Sequence, residues 1–194
     1  MAEDVIELMD RLQLDRASLM GHSMGGKAAM QLAMNHPERV ERLIVVDIAP
    51  VEYPPHHNDV FAGLNSIKLE SLKSRRDADS TLSQHVSSEA TRAFLLKNLY
   101  RDEHKNFAWR MNLAVLQQQY SHIAATPEGN AYTGPVLFIK GGESDYIQRE
   151  HQQAILSRFP SAHFKVIAGA GHLPHVEKAA LFTRLVEKFL TPDN

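Results

Sequence analysis

The run "LIVV", residues 43–46, has no polar position on either parity. A strand with one wet face alternates apolar and polar residues. This one reads as buried on both faces, as in a parallel sheet covered by helices. The surrounding pattern agrees. Residues 2–14 read as a helix, with Val5, Leu8, Met9 and Leu12 recurring at i, i+3, i+4 and i+7. "RASLM", residues 16–20, reads as a strand, residues 21–26 as a turn, and residues 27–35 as a helix stopped before Pro37. Later come strands in "GPVLFIKGG", residues 134–142, and "HFKVIAG", residues 163–169, with a helix over 148–158 between them. A last helix over 175–190 sets Phe182, Leu185, Val186 and Phe189 on one face. Strands alternating with helices predict an α/β fold, a mostly parallel sheet with helices on both faces.

Between the second and third strands the character changes. Over residues 51–133 strand-like runs vanish and short helical patterns take over, such as Val60, Phe61, Leu64 and Ile67. "NFAWRMN" reads as a brief extended piece before a helix around residues 113–120. The expected organisation is therefore a core of residues 1–50 and 134–194 and a helical cap of residues 51–133. Phe61, Leu64, Phe107, Trp109 and Tyr120 could line a pocket or make the cap's own core.

Parallel α/β sheets hold ligands at the carboxyl ends of their strands. The residues just past those ends are Ser23, Asp47, the Ser144–Asp145 pair and His172. "GHSMG" places Ser23 between glycines at a strand-to-helix turn, the G-x-S-x-G context of a nucleophile held on a strained elbow. Gly21 and Gly25 are expected to let strand and helix pass closely, with Gly26 loosening the packing further. The Met24 N–H, at the start of a helix, would face developing negative charge on a substrate oxygen. The plain alternative is a glycine-rich turn with a capping serine.

A serine hydroxyl needs a base. His172, in "IAGAGHLPH", follows the last strand through a loop of small residues. His175 reads as a pocket-rim or helix-start residue, and the H-x-x-H spacing has no further ligands to make a metal site. The base needs an acid. Asp47 is favoured, because an acid at a buried strand end is costly unless it serves a histidine. Asp145 is the alternative, with Ser144 as a supporting hydrogen bond.

Composition narrows the partners. A net charge of -2 over 194 residues offers no electrostatic case for nucleic acid. The absence of cysteine excludes disulfides, thiolate metal sites and a cysteine nucleophile. No apolar run approaches the ~18 residues of a membrane span. The acidic, amphipathic opening "MAEDVIELMD" is unlike a signal peptide, so the expected compartment is the cytoplasm.

The blocks "GHSMGGKAAM", "LIVVDIAPVEY", "LFIKGGESDY" and "IAGAGHLPHVEK" together resemble the α/β-hydrolase family, more narrowly small esterases of the YbfF type and their mitochondrial relatives. The resemblance implies a partial α/β-hydrolase fold and a cofactor-free serine hydrolase of carboxylic esters or thioesters, short acyl esters and acyl-CoA among them. It also implies that the acid can follow the strand after the elbow, as Asp47 does. Family members carry strands before the elbow and a His-Gly loop that supplies a second oxyanion donor. Here one helix precedes "RASLM", so the chain reads as the C-terminal part of such a hydrolase. An unpaired edge at "RASLM" is then expected, with poor solubility or an edge-paired oligomer and weak or absent activity. A C–C bond hydrolase with the same triad, or an inactive hydrolase-like binding module, are the competing readings.

Overall fold

The computed structural model describes residues 1–55 and 57–191. The chain divides into two compact units, one made of Met1–Tyr53 and the chain from Ala125 onward, the other of Pro54–Ala124. In the first unit, α1 (Ala2–Arg11), β1 (Ala17–His22), α2 (Met24–Asn35) and β2 (Val40–Val46) precede the second unit. That second unit holds α3 (Asn58–Ser66), α4 (Arg75–Leu82), α5 (Glu89–Leu95), β3 (Leu99–Arg101), β4 (Phe107–Trp109), α6 (Leu113–Gln118) and α7 (Tyr120–Ala124). The first unit resumes with β5 (Val136–Gly141), α8 (Gln152–Arg158), β6 (Ala162–Ile167), α9 (Pro174–Glu177) and α10 (Ala179–Leu190). Among the described residues no helix is long and apolar enough to cross a membrane.

The sheet is four-stranded and parallel, in the order β1-β2-β5-β6. Its pleat divides the apolar runs between two layers. Leu43, Val45, Val136 and Phe138 meet Met30 and Ala33 of α2 and Ile155 of α8 on one face. Ile44, Val46, Leu137 and Ile139 meet Phe182, Leu185, Val186 and Phe189 of α10 on the other. Each such side chain fully buried contributes roughly 1.5–3 kcal/mol of transfer free energy, so the central pair β2 and β5 anchors the unit. β1 lies at the edge, and Met20 on it is 56% exposed.

Several boundaries differ from the sequence reading. α2 starts at Met24, so the expected turn over 21–26 shrinks to the single residue Ser23. The stripe of α1 that packs inward is Ala2, Val5, Ile6 and Met9, while Leu8 and Leu12 are exposed. Both stripes have helical spacing, and α2 receives only one. The last helix is broken at Lys178, which leaves helical dihedrals (φ -136°, ψ 49°). The second unit contains a short antiparallel pair, β3 with β4, where only the β4 segment was expected to be extended. Asp102 tightens the connecting turn by accepting from the N–H groups of His104 and Asn106. The unit has its own core, in which Leu64, Leu82, Leu96 and Leu99 are buried.

Candidate active site

Register explains where the reactive side chains fall. His22 on β1 lies opposite Val46 on β2, which lies opposite Ile139 on β5. The residues one step further, Ser23 and Asp47, therefore leave neighbouring strands at the same level. Ser23 turns the chain from strand to helix alone, with φ 53° and ψ -119°. Its N–H donates to Val46 O at 3.0 Å, and its carbonyl accepts the Lys27 N–H at 3.1 Å. The glycines around it divide their work differently from the sequence expectation. A Cβ on Gly21 would lie 2.1 Å from Gly25 O, and one on Gly26 would lie 2.6 Å from Ile48 Cγ2. A Cβ on Gly25 would meet nothing within 4 Å. Close passage thus falls on Gly21 and Gly26.

Asp47 also has a positive φ, 52°, and is fully buried. Its N–H donates to Ile139 O at 2.8 Å. Its carboxylate accepts the Gly141 N–H at 2.9 Å, the Ser144 hydroxyl, and His172 Nδ1 at 2.8 Å. A carboxylate facing Nδ1 fixes the proton there, which leaves Nε2 as an acceptor. Ser23 Oγ stands 3.1 Å from that Nε2 and donates to it. The structure thus brings Ser23, His172, Asp47 and Ser144 into one connected set. Asp145 is exposed, and its carboxylate accepts from Gln148 Nε2 at 2.9 Å. Met24 contributes the first N–H of α2, which has no intrahelical acceptor.

His172 is held from all sides by residues that the sequence reading did not single out. Glu177 accepts the N–H of Gly171 at 2.8 Å and of Leu173 at 3.1 Å, so both amides flanking His172 are pinned. His22 Nε2–H donates to the His172 carbonyl at 2.6 Å. Burial pushes the His22 imidazole down to about 4, so it stays neutral and remains a plain donor. The Tyr146 ring stacks on the His172 ring at 3.8 Å. The Tyr53 hydroxyl accepts the Ala49 N–H at 2.9 Å and donates to Tyr146 O. Burial pushes the Tyr53 phenol up to about 12, which keeps it a hydroxyl. The blocks "LIVVDIAPVEY" and "LFIKGGESDY" each end on one of these tyrosines, the one trace they leave in the sequence.

His175 sits with its ring 4.8 Å from that of His22 and 5.9 Å from that of Phe182. Among the described residues no three His, Cys, Asp or Glu side chains converge as a metal site. Of the expected pocket residues, Leu64, Phe107 and Trp109 join the second unit's own core, and Phe61 packs edge-on against Tyr120 at 5.4 Å.

Residues 1–185 match the family model described as "Alpha/beta hydrolase family". The chain is 38% identical to "Esterase YbfF" of Escherichia coli strain K12, across 98% of this chain and 73% of that protein. It is 39% identical to "sn-1-specific diacylglycerol lipase ABHD11" of Mus musculus, across 98% of this chain and 64% of that one. A solved structure titled "Marine microorganism esterase" superposes with a TM-score of 0.92 at 34% identity, covering 97% of this chain and 75% of its own. The chain therefore spans about two thirds to three quarters of the length of these relatives. Matched along nearly its whole length both in sequence and in backbone, it belongs to the alpha/beta hydrolase family, as a member of the esterase/lipase type.

Proposed function

We propose that the chain hydrolyses carboxylic esters or thioesters of small acyl groups through an acyl-enzyme on Ser23. The observation that carries this reading is the unbroken hydrogen-bonded path from Ser23 Oγ through His172 to buried Asp47, at 3.1 and 2.8 Å. His172 Nε2 takes the Ser23 proton as Oγ attacks the substrate carbonyl carbon. The carbonyl π electrons move to oxygen, where the Met24 N–H stabilises the charge. Asp47 stabilises the imidazolium. As the tetrahedral adduct collapses, the bond to the leaving alkoxide or thiolate breaks, and Nε2 returns the proton to it. Water then attacks the acyl-serine with His172 again as base, releasing the acid and restoring the Ser23 hydroxyl. The relatives' names support the ester class, and thioesters follow because the same adduct forms on either carbonyl.

A fluorophosphonate probe tests the reading. The folded chain is expected to gain the probe's mass on the peptide containing Ser23, and Ser23→Ala to gain none. A folded chain that stays unlabelled, or labels equally as Ser23→Ala, overturns it in favour of a hydrolase-like binding module.

A further inference from the structure

Lys27 is a charged residue on a buried helix face, only 7% exposed, one turn into α2. Its N–H holds the Ser23 carbonyl at 3.1 Å. Its Nζ donates to Val51 O at 2.5 Å and Ala125 O at 2.6 Å, and lies 5.0 Å from the centre of the Tyr53 ring. Val51 belongs to the stretch by which the chain leaves the first unit, and Ala125 is the residue by which it returns. Gln31, one helical turn further along α2, continues the contact with the returning stretch. Its side chain donates to Glu128 O and accepts the Glu128 N–H at 3.0 Å. The returning segment thus runs beside α2 from Lys27 toward Asn35, where a Cβ on Gly129 would lie 2.7 Å from Asn35 Oδ1.

We infer that Lys27 is a positioning residue that clamps the outgoing and returning connectors of the first unit onto the first turn of α2, and through it onto the Ser23 elbow. An apolar side chain would suit the burial better, because taking an ammonium from water is costly. Only a side chain with several donors at the end of a long stem can hold two carbonyls on separate stretches. Charge-assisted bonds of this kind are about twice as strong as neutral ones. Burial nevertheless pushes the lysine down to about 8, with the Glu52 carboxylate pulling the other way and the un-ionised Tyr53 ring beside it. The clamped lysine binds its proton less tightly than a released one, so release becomes less favourable as pH rises through about 8.

Amide hydrogen exchange of residues 49–53 and 125–128 tests the clamp. At pH 7, Lys27→Met is expected to exchange there about 10- to 100-fold faster than the wild type, and Lys27→Arg to restore most of the protection. Between pH 7 and 9, after correction for intrinsic rates, the wild type gains protection at both stretches while Lys27→Arg does not, its guanidinium keeping its charge. Equal exchange of wild type and Lys27→Met at pH 7 overturns the proposal. Should Lys27→Met fail to fold, Lys27→Gln, whose shorter side chain cannot span to both carbonyls, is read in the same way, and exchange equal to the wild type at pH 7 overturns the proposal. The link to Ser23 rests on the hydrolase reading and is measured apart: slower fluorophosphonate labelling of Lys27→Met, recovered in Lys27→Arg. If Ser23 labels in no variant the hydrolase reading fails, while the exchange result still decides the clamp.

Discussion

Two turns leave the same end of the sheet side by side, one after β1 and one after β2, and both place a non-glycine residue at positive φ. Ser23 sits at 53° and Asp47 at 52°. Such a backbone costs on the order of 1–3 kcal/mol per residue, and something must offset it. At Ser23, besides backbone bonds to Val46 O and the Lys27 N–H, the turn relies on space, since Gly21 and Gly26 lack the Cβ atoms that would strike backbone or Ile48. At Asp47 it is hydrogen bonding. The backbone N–H is held by Ile139, and the carboxylate is filled by Gly141, Ser144 and His172. One turn is permitted by what is missing beside it and the other is enforced by what arrives from distant parts of the chain.

The largest effect should come from breaking the second turn's bonds without its backbone. Asn tolerates positive φ, so Asp47→Asn is expected to fold with its melting temperature lowered by a few degrees. An amide can present N–H toward His172 and invert its tautomer, so kcat on a short acyl ester is expected to fall about 10³–10⁴-fold. Steady-state kinetics beside a thermal melt checks both halves. A folded Asp47→Asn with intact turnover would show that the carboxylate serves the turn alone.

The first turn should break in the opposite manner. Gly21→Ala would force its Cβ against Gly25 O, a backbone atom with nowhere to go. The expected loss of stability is about 3 kcal/mol or more, read from denaturant unfolding. Gly25→Ala meets open space in a helix and is expected to gain up to about 1 kcal/mol. Equal losses at both positions would refute the division of labour between the glycines.

This contrast also explains what the sequence disclosed. "GHSMGG" is local, so the elbow, its serine and the strand-to-helix change could be read there, although not that Ser23 alone makes the turn. The uninterrupted "LIVV" announced a strand buried on both faces, and β2, like β5, has a neighbouring strand on each side. The sequence favours Asp47 and keeps Asp145 as the alternative, because each lies just past a strand. Only the β2–β5 register brings the Gly141 N–H and Ser144 hydroxyl to Asp47. The sequence does not single out His22 and Tyr146, because each reaches His172 from far away in the chain, nor Glu177 and Tyr53, because a side chain bonding nearby backbone N–H groups has no residue pattern of its own. β3 was missed for a related reason. "TRAFLLKNLY" has helical spacing at its start, and its last residues become a strand only by pairing with β4.

The smallest effects come from two adjacent residues whose environments are opposite. Ser144 is buried and donates to Asp47, whereas Asp145 is exposed and accepts from Gln148 Nε2. A hydrogen bond to a charged group contributes about 1.5–3 kcal/mol, so Ser144→Ala should lower stability by about that much and turnover roughly tenfold. Asp145→Asn should change stability by less than about 0.5 kcal/mol and leave kcat/KM within about a factor of two. Measured together on one ester, the pair separates burial from sequence position. Loss of turnover in Asp145→Asn, with Ser144→Ala unaffected, would move the acid from the strand end of β2 to the loop after β5. The bonded turn at Asp47 would then be a structural device and no part of the chemistry.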